Sequence, residues 1–360
     1  MRSAFLSEKA GEAEGYKAYC QAYFDQEVTH MEIRNRAELD VLYPEPQKGI
    51  LYNSPELLLM RCIAENDPDG AMDLFRDKRQ FSEDPPAVDT PYGRFEGKEQ
   101  IRAFAEGFIA RFEADVLSIS PKFQTRSGGR SVTELVLNFE KDSIINQVPM
   151  FVVADLGSRG TLEEVRLYCH CSFVPHLTPY RKPLFHPAHL EMGDPGLMTG
   201  AVREYYTALH HMPGVDVERI LRCMHPDCVF GGYGMYHGQE PEKGIEALRR
   251  VYTGMASYIP RKVGMRYETL IDDGVTGVIE WVHVISDQGK QELGRIAMSG
   301  IAAYMRGDDG RLISIRICDY AWMEKEIDWN LTGTTEEEAR KLHVVSEFPA
   351  GVGLKRQETL

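Results

Sequence analysis

The sequence lacks the long apolar runs and the excess of basic residues that mark membrane-spanning and nucleic-acid-binding proteins. Its longest apolar stretches, such as residues 57–60, fall far short of the roughly 18 residues that span a bilayer. The 55 Asp and Glu residues outnumber the 41 Lys and Arg residues and leave a net charge of −14. This charge would repel a phosphate backbone or an anionic lipid surface. We therefore expect no transmembrane helix, no nucleic-acid partner and no membrane partner.

Cysteine is also scarce, and the signals for secretion and for cofactor binding are missing. The seven cysteines are odd in number and dispersed, which favours reduced, mostly buried thiols over a disulfide framework. The first residues turn acidic without the apolar core of a secretory signal, so the expected location is the cytoplasm. The cysteines lack the paired spacing of a zinc site, and no βαβ unit surrounds the glycines at 231–234. We expect neither a metal nor a cofactor.

A proline-rich stretch divides the 360 residues into two halves with the same order of helix and strand signals. Prolines stand at positions 175, 179, 183, 187 and 195. The length favours two domains, and 43% hydrophobic residues suffice for two cores. The predicted organisation is an N-terminal helical extension at 1–53, a first domain at 54–174, a linker at 175–196, a second domain at 197–330, and a C-terminal helix and tail at 331–360. Aromatic residues at helical spacing predict that 7–42 is helical.

Each half is predicted to be an internal copy of one α+β unit. Two helices and one short strand, ending near Phe81 or Phe230, precede a third helix that starts after Gly97 or Gly238. Three hairpin-connected strands follow, at 132–140, 147–155 and 163–174 in the first copy and at 275–285, 294–306 and 311–322 in the second. The copies align Gly97 with Gly238, Thr133 with Thr276, and Arg166 with Arg316. Three helices on one face of a curved antiparallel sheet give a cone-shaped α+β barrel with a cavity at one end.

Several segments resemble the nuclear transport factor 2-like superfamily, which includes ketosteroid isomerases and SnoaL-like polyketide cyclases. They are residues 67–75 and 82–85 in the first copy, and residues 202–209 and 225–230 in the second. The resemblance implies that the chain is a tandem duplication of this fold. Because sheets in the superfamily often pair across a two-fold axis, it also implies an intramolecular pseudo-dimer, with a homodimer as a further option. The superfamily contains enzymes and binding modules, so it leaves the function open.

Asp319 is the first candidate for a catalytic residue. It interrupts the apolar row of Ile313, Ile315, Ile317 and Ala321, and an acid on such a face is costly unless it is partnered, protonated or functional. It resembles the catalytic Asp on the last strand of SnoaL-like cyclases, although the His that those enzymes carry on the preceding strand is absent. The first copy has Cys169 at this position. The alternative is that Asp319 accepts hydrogen bonds near the sheet rim.

Three further residues are candidates. Tyr205 resembles the helix-one oxyanion donor of ketosteroid isomerases, and Asp84 matches the general base in their Glu-Asp-Pro segment. His283 shares a strand face with Trp281 and is within reach of the same cavity. Each also has a structural interpretation: Tyr205 in a core stripe, Asp84 in a turn, and His283 as a half-buried imidazole.

These patterns favour a cofactor-independent SnoaL-like enzyme whose second copy is the working one. The expected substrate is a small apolar carbonyl compound, and the expected chemistry is proton abstraction and return in a cyclase, isomerase or dehydratase (lyase) reaction. Asp319 would be the base, with Tyr205 and His283 as donors or orienting groups. The alternative is a non-catalytic module of the same fold that binds a small ligand or serves in assembly.

Overall fold

The computed structural model describes most of two compact units. The described residues are 32–34, 40–80, 83–90, 93–108, 115–141, 144–169, 198–209, 214–234, 241–256, 263–285 and 295–323. The first unit ends at residue 177 and the second begins at 178, with residues 91–93 grouped with the second. This division falls inside the predicted linker. The predicted C-terminal helix, and most of the predicted N-terminal helix, lie outside the described residues.

Within the described residues, the first unit has three complete helices and a mixed sheet. The helices are α1 (Pro55–Ala64), α2 (Pro68–Asp73) and α3 (Gly97–Gly107). The strands are β1 (Glu32–Arg34), β2 (Ala87–Thr90), β3 (Gly93–Glu96), β4 (Asp115–Ser127), β5 (Arg130–Lys141), β6 (Ile144–Leu156) and β7 (Leu162–Cys169). The sheet order is β3-β2-β7-β6-β5-β4, with β1 beside β6.

The second unit has the same order of elements. Its helices are α4 (Gly200–Leu209), α5 (Val217–Arg222) and α6 (Ile245–Ala256). Its strands are β8 (Met224–Gly234), β9 (Glu242–Lys243), β10 (Val263–Asp272), β11 (Thr276–Ile285), β12 (Arg295–Arg306) and β13 (Leu312–Met323). The order β9-β8-β13-β12-β11-β10 repeats that of the first sheet. Both units are therefore α+β folds of the predicted class. In the described ranges they share three helices and a six-strand order, and β1 is a seventh strand of the first sheet.

The helix starts follow from local sequence. In α1 and α2, Pro55 and Pro68 occupy the first turn, where a missing N–H costs nothing. The Asp67 carboxylate accepts the Gly70 N–H at 2.9 Å, and in the second unit Asp216 caps α5 in the same way at 3.0 Å. Equivalent second helices thus begin with equivalent caps.

The turn before the last strand is repeated almost bond for bond. Gly157 N–H donates to the Thr161 carbonyl at 2.9 Å, and Gly307 N–H donates to the Arg311 carbonyl at 2.8 Å. In both units the register then shifts by one residue, at Glu163 in β7 and at Ile313 in β13, which is a β-bulge. Because of the bulge, Leu312 rather than Ile313 takes the buried place in the apolar row.

A second repeated hydrogen bond anchors these strands. Leu162 N–H donates to the Leu74 carbonyl at 2.9 Å, and Leu312 N–H donates to the Cys223 carbonyl at 2.8 Å. Both leucines are fully buried. The start of each last strand is thereby fixed to the end of the second helix.

The structure corrects four of the predicted boundaries. Residues 32–34, inside the predicted helix, form β1 and pair with the part of β6 that extends beyond β7, where backbone groups need partners. The short strand of the first unit is β2 at 87–90, after the two prolines, rather than a strand ending near Phe81. The third helix of the second unit follows Gly244, not Gly238. Four strands, not three, follow each third helix, because β4 and β10 were not predicted.

The strand register also revises one predicted equivalence. Thr133 pairs with Val152, and the residue equivalent to Val152, Ala302, pairs with Ile279. The counterpart of Thr133 is therefore Ile279 and not Thr276. Arg166 and Arg316 keep equivalent register positions on the last strands, and both are buried.

The opposite face of the first sheet, away from its helices, carries a buried ion-pair network. Glu164 lies 2.8 Å from Arg79, 3.3 Å from Arg94 and 3.4 Å from Arg166. Because each of these buried arginines lies close to the Glu164 carboxylate, attraction between opposite charges offsets the cost of removing them from water. All of these partners belong to the first unit.

The longest described helix, α6, has 12 residues. None of the helices in the described ranges has the length and apolar character of a bilayer span. Four of the cysteines in these ranges, Cys169, Cys223, Cys228 and Cys318, are buried.

Candidate functional site

The inner face of the second sheet, on which α4, α5 and α6 pack, holds the candidate site. One apolar cluster joins strand residues to helix residues. Its members on the last three strands are Ile279, Trp281, Ala302, Tyr304, Leu312, Ile315 and Ile317. Since alternate residues of a strand share a face, positions 283 and 319 lie on the same face of their strands as this cluster.

Asp319 stands between two glycines on this face. Its backbone pairs with Gly300 of β12 on one side and with Gly234 of β8 on the other. Gly300 in turn pairs with Trp281 of β11. We call the line Trp281, Gly300, Asp319, Gly234 the acid row. Two of the four positions in the acid row are therefore glycines, one on each side of the acid.

The bulge at Ile313 decides which face Asp319 occupies. It shifts the alternation so that Leu312, Ile315 and Ile317 share the apolar cluster. Without the shift, position 319 would lie on the opposite face of the sheet, the one that Arg316 now occupies. The sequence prediction placed Asp319 in the correct row, although with Ile313 as its first member.

Four tyrosines pack together on the helix side of the same cluster. Tyr205 and Tyr206 lie on α4, Tyr252 on α6 and Tyr304 on β12, and all four are buried. The Tyr252 hydroxyl donates to the Tyr205 hydroxyl at 3.1 Å, and the Tyr206 and Tyr304 hydroxyls are 2.7 Å apart. A further hydrogen bond joins Tyr205 to Tyr304. We call these four residues the tyrosine cluster.

The surroundings keep the tyrosine cluster protonated. Burial raises the pKa of Tyr205 well above the ordinary tyrosine value, although hydrogen bonds from Tyr252 and Tyr304 oppose the shift. Burial also raises the pKa of Tyr252 and of Tyr304. At neutral pH the phenols of Tyr205, Tyr252 and Tyr304 are therefore neutral hydrogen-bond donors.

The first unit fills the equivalent of the acid row with side chains. Leu135, Met150 and Cys169 pair in sequence across β5, β6 and β7, and all three are fully buried. They correspond to Trp281, Gly300 and Asp319. The first unit thus carries neither the acid nor the empty glycine position here.

The first unit instead buries a carboxyl group near the start of α1. Glu56 Oε1 accepts hydrogen bonds from Ser131 at 2.5 Å, Gln124 at 2.9 Å and Thr133 at 3.0 Å. Glu56 Oε2 is buried without a hydrogen-bond partner. The equivalent positions of the second unit are apolar or glycine, since Val202 contacts Gly277 there. The polar groups of the two units therefore lie at different positions along the strands of the same fold.

Three of the four predicted site residues lie on one face of the second unit, and the fourth lies in the first unit. Tyr205 lies in the apolar cluster, while Asp319 and His283 are described by their backbone and occupy its face at neighbouring levels of the sheet. Asp84 is exposed on the segment before β2, where its carbonyl accepts the Arg79 N–H at 3.0 Å. It belongs to the first unit, whereas the other three belong to the second.

Sequence reasoning missed Tyr206, Tyr252 and Tyr304. Two signals were available: Tyr304 alternates with Gly300 and Ala302 on one strand face, and Tyr252 follows Leu248 at helical spacing. Among the described residues, no three His, Cys, Asp or Glu side chains are grouped as they would be to hold a metal ion.

Comparison with known proteins gives a family for the second unit. Residues 202–315 match the family model described as a SnoaL-like domain. No curated protein matches the chain.

Solved structures give similar matches over about one unit. A protein from Catenulispora acidiphila with a ketosteroid isomerase-like fold, in complex with trimethylamine, is 15% identical, covering 35% of this chain and 92% of that chain, with a TM-score of 0.29. RV0760c from Mycobacterium tuberculosis, also solved with estradiol-17beta-hemisuccinate, is 20% identical, covering 34% and 95%, with a TM-score of 0.27. SalBIII, an epoxide hydrolase/cyclase-like enzyme of pyran ring formation in salinomycin, is 15% identical, covering 34% and 93%, with a TM-score of 0.27.

The match of residues 202–315 to the SnoaL-like domain family agrees with the sheet order and the helices of the second unit, and supports the resemblance of the sequence to the nuclear transport factor 2-like superfamily.

Proposed function

We propose that the second unit is a cofactor-independent enzyme that moves a proton on a small, largely apolar carbonyl compound. The observation that carries the proposal is the acid row: a carboxylic acid at Asp319, between two glycines, on the face that also holds the tyrosine cluster. Apolar walls with one acid and a few hydroxyl donors are what such chemistry requires.

Asp319 acts as the general base. Its carboxylate removes a proton from the carbon next to the substrate carbonyl, and the C–H electron pair forms the C=C bond of an enolate. The negative charge moves to the carbonyl oxygen. Asp319, now protonated, returns the proton to the same or another carbon, which restores the carbonyl and the carboxylate.

The tyrosine cluster supplies the donor for the enolate oxygen. Four hydroxyl groups carry four protons, and the three hydrogen bonds among them use three. One proton is left for an external acceptor. Tyr205 lies in the middle of the chain of hydroxyls, so Tyr252 and Tyr304 hold it in place. His283, one level further along β11, orients either the acid or the substrate.

Internal duplication accounts for the first unit. The repeated turns, bulges and leucine anchors, offset by 149 or 150 residues, support one ancestral fold copied in tandem. In this proposal the first unit lost the acid, or never acquired it, and does not catalyse the reaction.

The test measures proton exchange directly, because the natural substrate is not needed for it. The full chain is incubated with 2-tetralone, a bicyclic ketone with acidic α-protons, in deuterated buffer, and deuterium incorporation is followed by NMR. We expect Asp319→Asn to reduce the exchange rate by about 10²- to 10⁴-fold, the usual contribution of a positioned base. Asp308→Asn, in the exposed turn before β13, is the matched control and should exchange like the wild type.

Equal exchange by wild type and Asp319→Asn, or none above the buffer rate, would contradict the enzymatic proposal. If 2-tetralone still binds in that case, the non-catalytic ligand-binding module becomes the better explanation.

A further inference from the structure

One side of β6 in the first unit is paired by two different strands. β7 pairs with Met150–Leu156 and ends at Cys169, which lies opposite Met150. β1 pairs in parallel with Ile144–Asn146. Among the described residues no strand pairs with positions 147–149 on this side, and Pro149 has no N–H to donate. The stretch at 144–148 is therefore an edge of the first sheet that β7 does not cover.

The second unit closes the equivalent edge with its own last strand. Since Met150 corresponds to Gly300, positions 144–148 correspond to 294–298. There β13 continues to Met323 and pairs antiparallel with β12 as far as Arg295. The same edge of the fold thus pairs with an antiparallel strand in one unit and a parallel strand in the other. This is expected when main-chain hydrogen bonds, rather than side chains, provide the pairing.

β1 has far fewer backbone pairs than the strands around it. It has three residues and pairs with β6 alone, whereas β5 and β6 have 12 and 13 residues. Its partner on β6 is more than 100 residues away in the sequence, so the pairing is a separate contact rather than part of a hairpin. Segments with few backbone pairs open at a small fraction of the free energy of global unfolding. β1 can therefore leave β6 while the rest of the first sheet stays folded.

We propose that the edge at 144–148 is a strand-addition site, which β1 occupies as a tethered ligand and which takes the same segment from a second copy of the chain when β1 is displaced. The register of β1, with Glu32 opposite Ile144 and Arg34 opposite Asn146, shows that this segment fits the site. Exchange of an identical segment between copies needs no new kind of contact. A tethered strand competes at an effective concentration on the order of 1 mM, so β1 shields the site at ordinary protein concentrations. The inference is independent of the function proposed for the second unit.

The first experiment measures the binding of a labelled peptide with the sequence of residues 28–38 to full-length proteins by fluorescence anisotropy. The variant Ile33→Pro/Arg34→Pro lacks the N–H groups of two successive positions, which prevents β1 from pairing. We expect this variant to bind the peptide about 10-fold more tightly than the wild type or better, because its tethered competitor is lost.

Two matched controls accompany this comparison. Ile33→Val/Arg34→Lys keeps residues that are compatible with a strand and should bind the peptide as weakly as the wild type. A peptide that carries the two prolines should bind none of the proteins. Equal affinity of the wild type and the double-proline variant, no binding to the folded variant, or binding of the proline peptide would each overturn the inference.

Hydrogen exchange of the wild type keeps the test decisive if the double-proline variant folds poorly. The amide protons of residues 144–146 that face β1 should exchange about 10-fold faster than those of residues 152–154 that face β7, or faster still, because the opening of β1 is local. Equal rates would show that β1 does not detach on its own, and would overturn the inference.

Sedimentation tests the second copy as the occupant. At millimolar concentration the wild type should form a dimer that is absent from the double-proline variant, because only the wild type has a strand to exchange. A dimer of equal strength in both proteins, or none in the wild type, would exclude this occupant.

Discussion

The two units show how one scaffold can carry opposite distributions of polar groups. At the level of the acid row, the first unit has Leu135, Met150 and Cys169, all fully buried, and the second has Trp281, Gly300 and Asp319. Near the start of the first helix of each unit the distribution is reversed, with the polar groups in the first unit and apolar residues in the second. There the first unit buries Glu56 with three hydrogen-bond donors, and the second packs Val202 against Gly277.

The contrast teaches that the backbone does not decide where the site lies. Sheet order, bulge and turn are shared, so the difference comes from single side chains at matching register positions. A row of paired strand positions with buried apolar side chains forms core, and the equivalent row with glycines and an acid is the candidate site. The following predictions test that assignment, from the largest expected effect to the smallest.

The largest effect is expected from placing the acid in the filled unit. Cys169→Asp would bury a carboxylate next to Met150, at a level where the first unit has no glycine to leave space. An uncompensated buried charge costs about 3–5 kcal/mol. Urea unfolding of the full chain should show this loss at pH 7 and a smaller one at pH 4, where the carboxyl group is neutral more often.

Cys169→Ser is the control, with a hydroxyl close in size to the thiol and no charge. If Cys169→Asp is as stable as Cys169→Ser at pH 7, the first unit has room for an acid, and the contrast between the units is wrong.

An intermediate effect is expected at the start of α4. Arg306 donates two hydrogen bonds to Asp272, at 2.9 and 2.7 Å, and one to the Thr199 carbonyl. Both charged side chains are less than a tenth exposed, so removing Arg306 leaves the Asp272 carboxylate without its opposite charge. Arg306→Met should cost about 3 kcal/mol in the free energy of unfolding. The first unit holds α1 without this ion pair, so its unfolding should be unaffected.

The acid dependence of this pair provides a second check. Burial alone would raise the pKa of Asp272, but hydrogen bonds from Arg306, Gly274 and Thr199 outweigh it and lower the pKa below the usual value. The stabilisation is therefore present above about pH 4, the unfolded value, and is lost as the pH falls through the folded pKa. The cost of Arg306→Met should shrink over that range. A cost that is independent of pH would exclude the ion pair as its cause.

The smallest effect tests what the units share. Gly160 and Gly310 occupy equivalent turn positions with φ of 71° and 75°, a region that disfavours a Cβ by about 1 kcal/mol. Gly160→Ala and Gly310→Ala should each lower stability by about that amount, and by similar amounts. Gly107→Ala and Gly254→Ala, in helices with open space around the glycine, are controls that should stabilise slightly. Unequal losses at the two turns would show that their backbones are not equivalent.

Regular alternation made most of the sheet predictable. The strands β5, β6, β11, β12 and β13 were located within a few residues, because both of their faces are apolar or clearly alternating. The strands β4 and β10 were not, and both lie at a sheet edge with a bulge that breaks the alternation. In β4 a proline at position 121 adds to the ambiguity, although an edge strand tolerates it.

The candidate site was predictable only where it depends on a single strand. Asp319 stands out because the interruption of an apolar row is local information. The tyrosine cluster depends on how α4 and α6 pack onto β12, and hydroxyl distances of about 3 Å across 47 or 98 residues of sequence cannot be read from spacing. The glycine positions beside Asp319 required the register between strands, which no local pattern specifies.

The extra residue at the start of β13 determines which alternate positions of this strand lie on the helix side of the sheet. Before Ile313, the residue on the helix side is Leu312. After Ile313, the residues on that side are the odd-numbered Ile315 and Ile317. Removing one residue there would exchange the two sets, so that position 316 would take the face of the tyrosine cluster and position 319 the opposite face. The hairpin before it can change length without this consequence, because Leu312 is tied to the Cys223 carbonyl. A change in the length of this hairpin would therefore leave position 319 on its present face, whereas the loss of the extra residue Ile313 would move it to the other face.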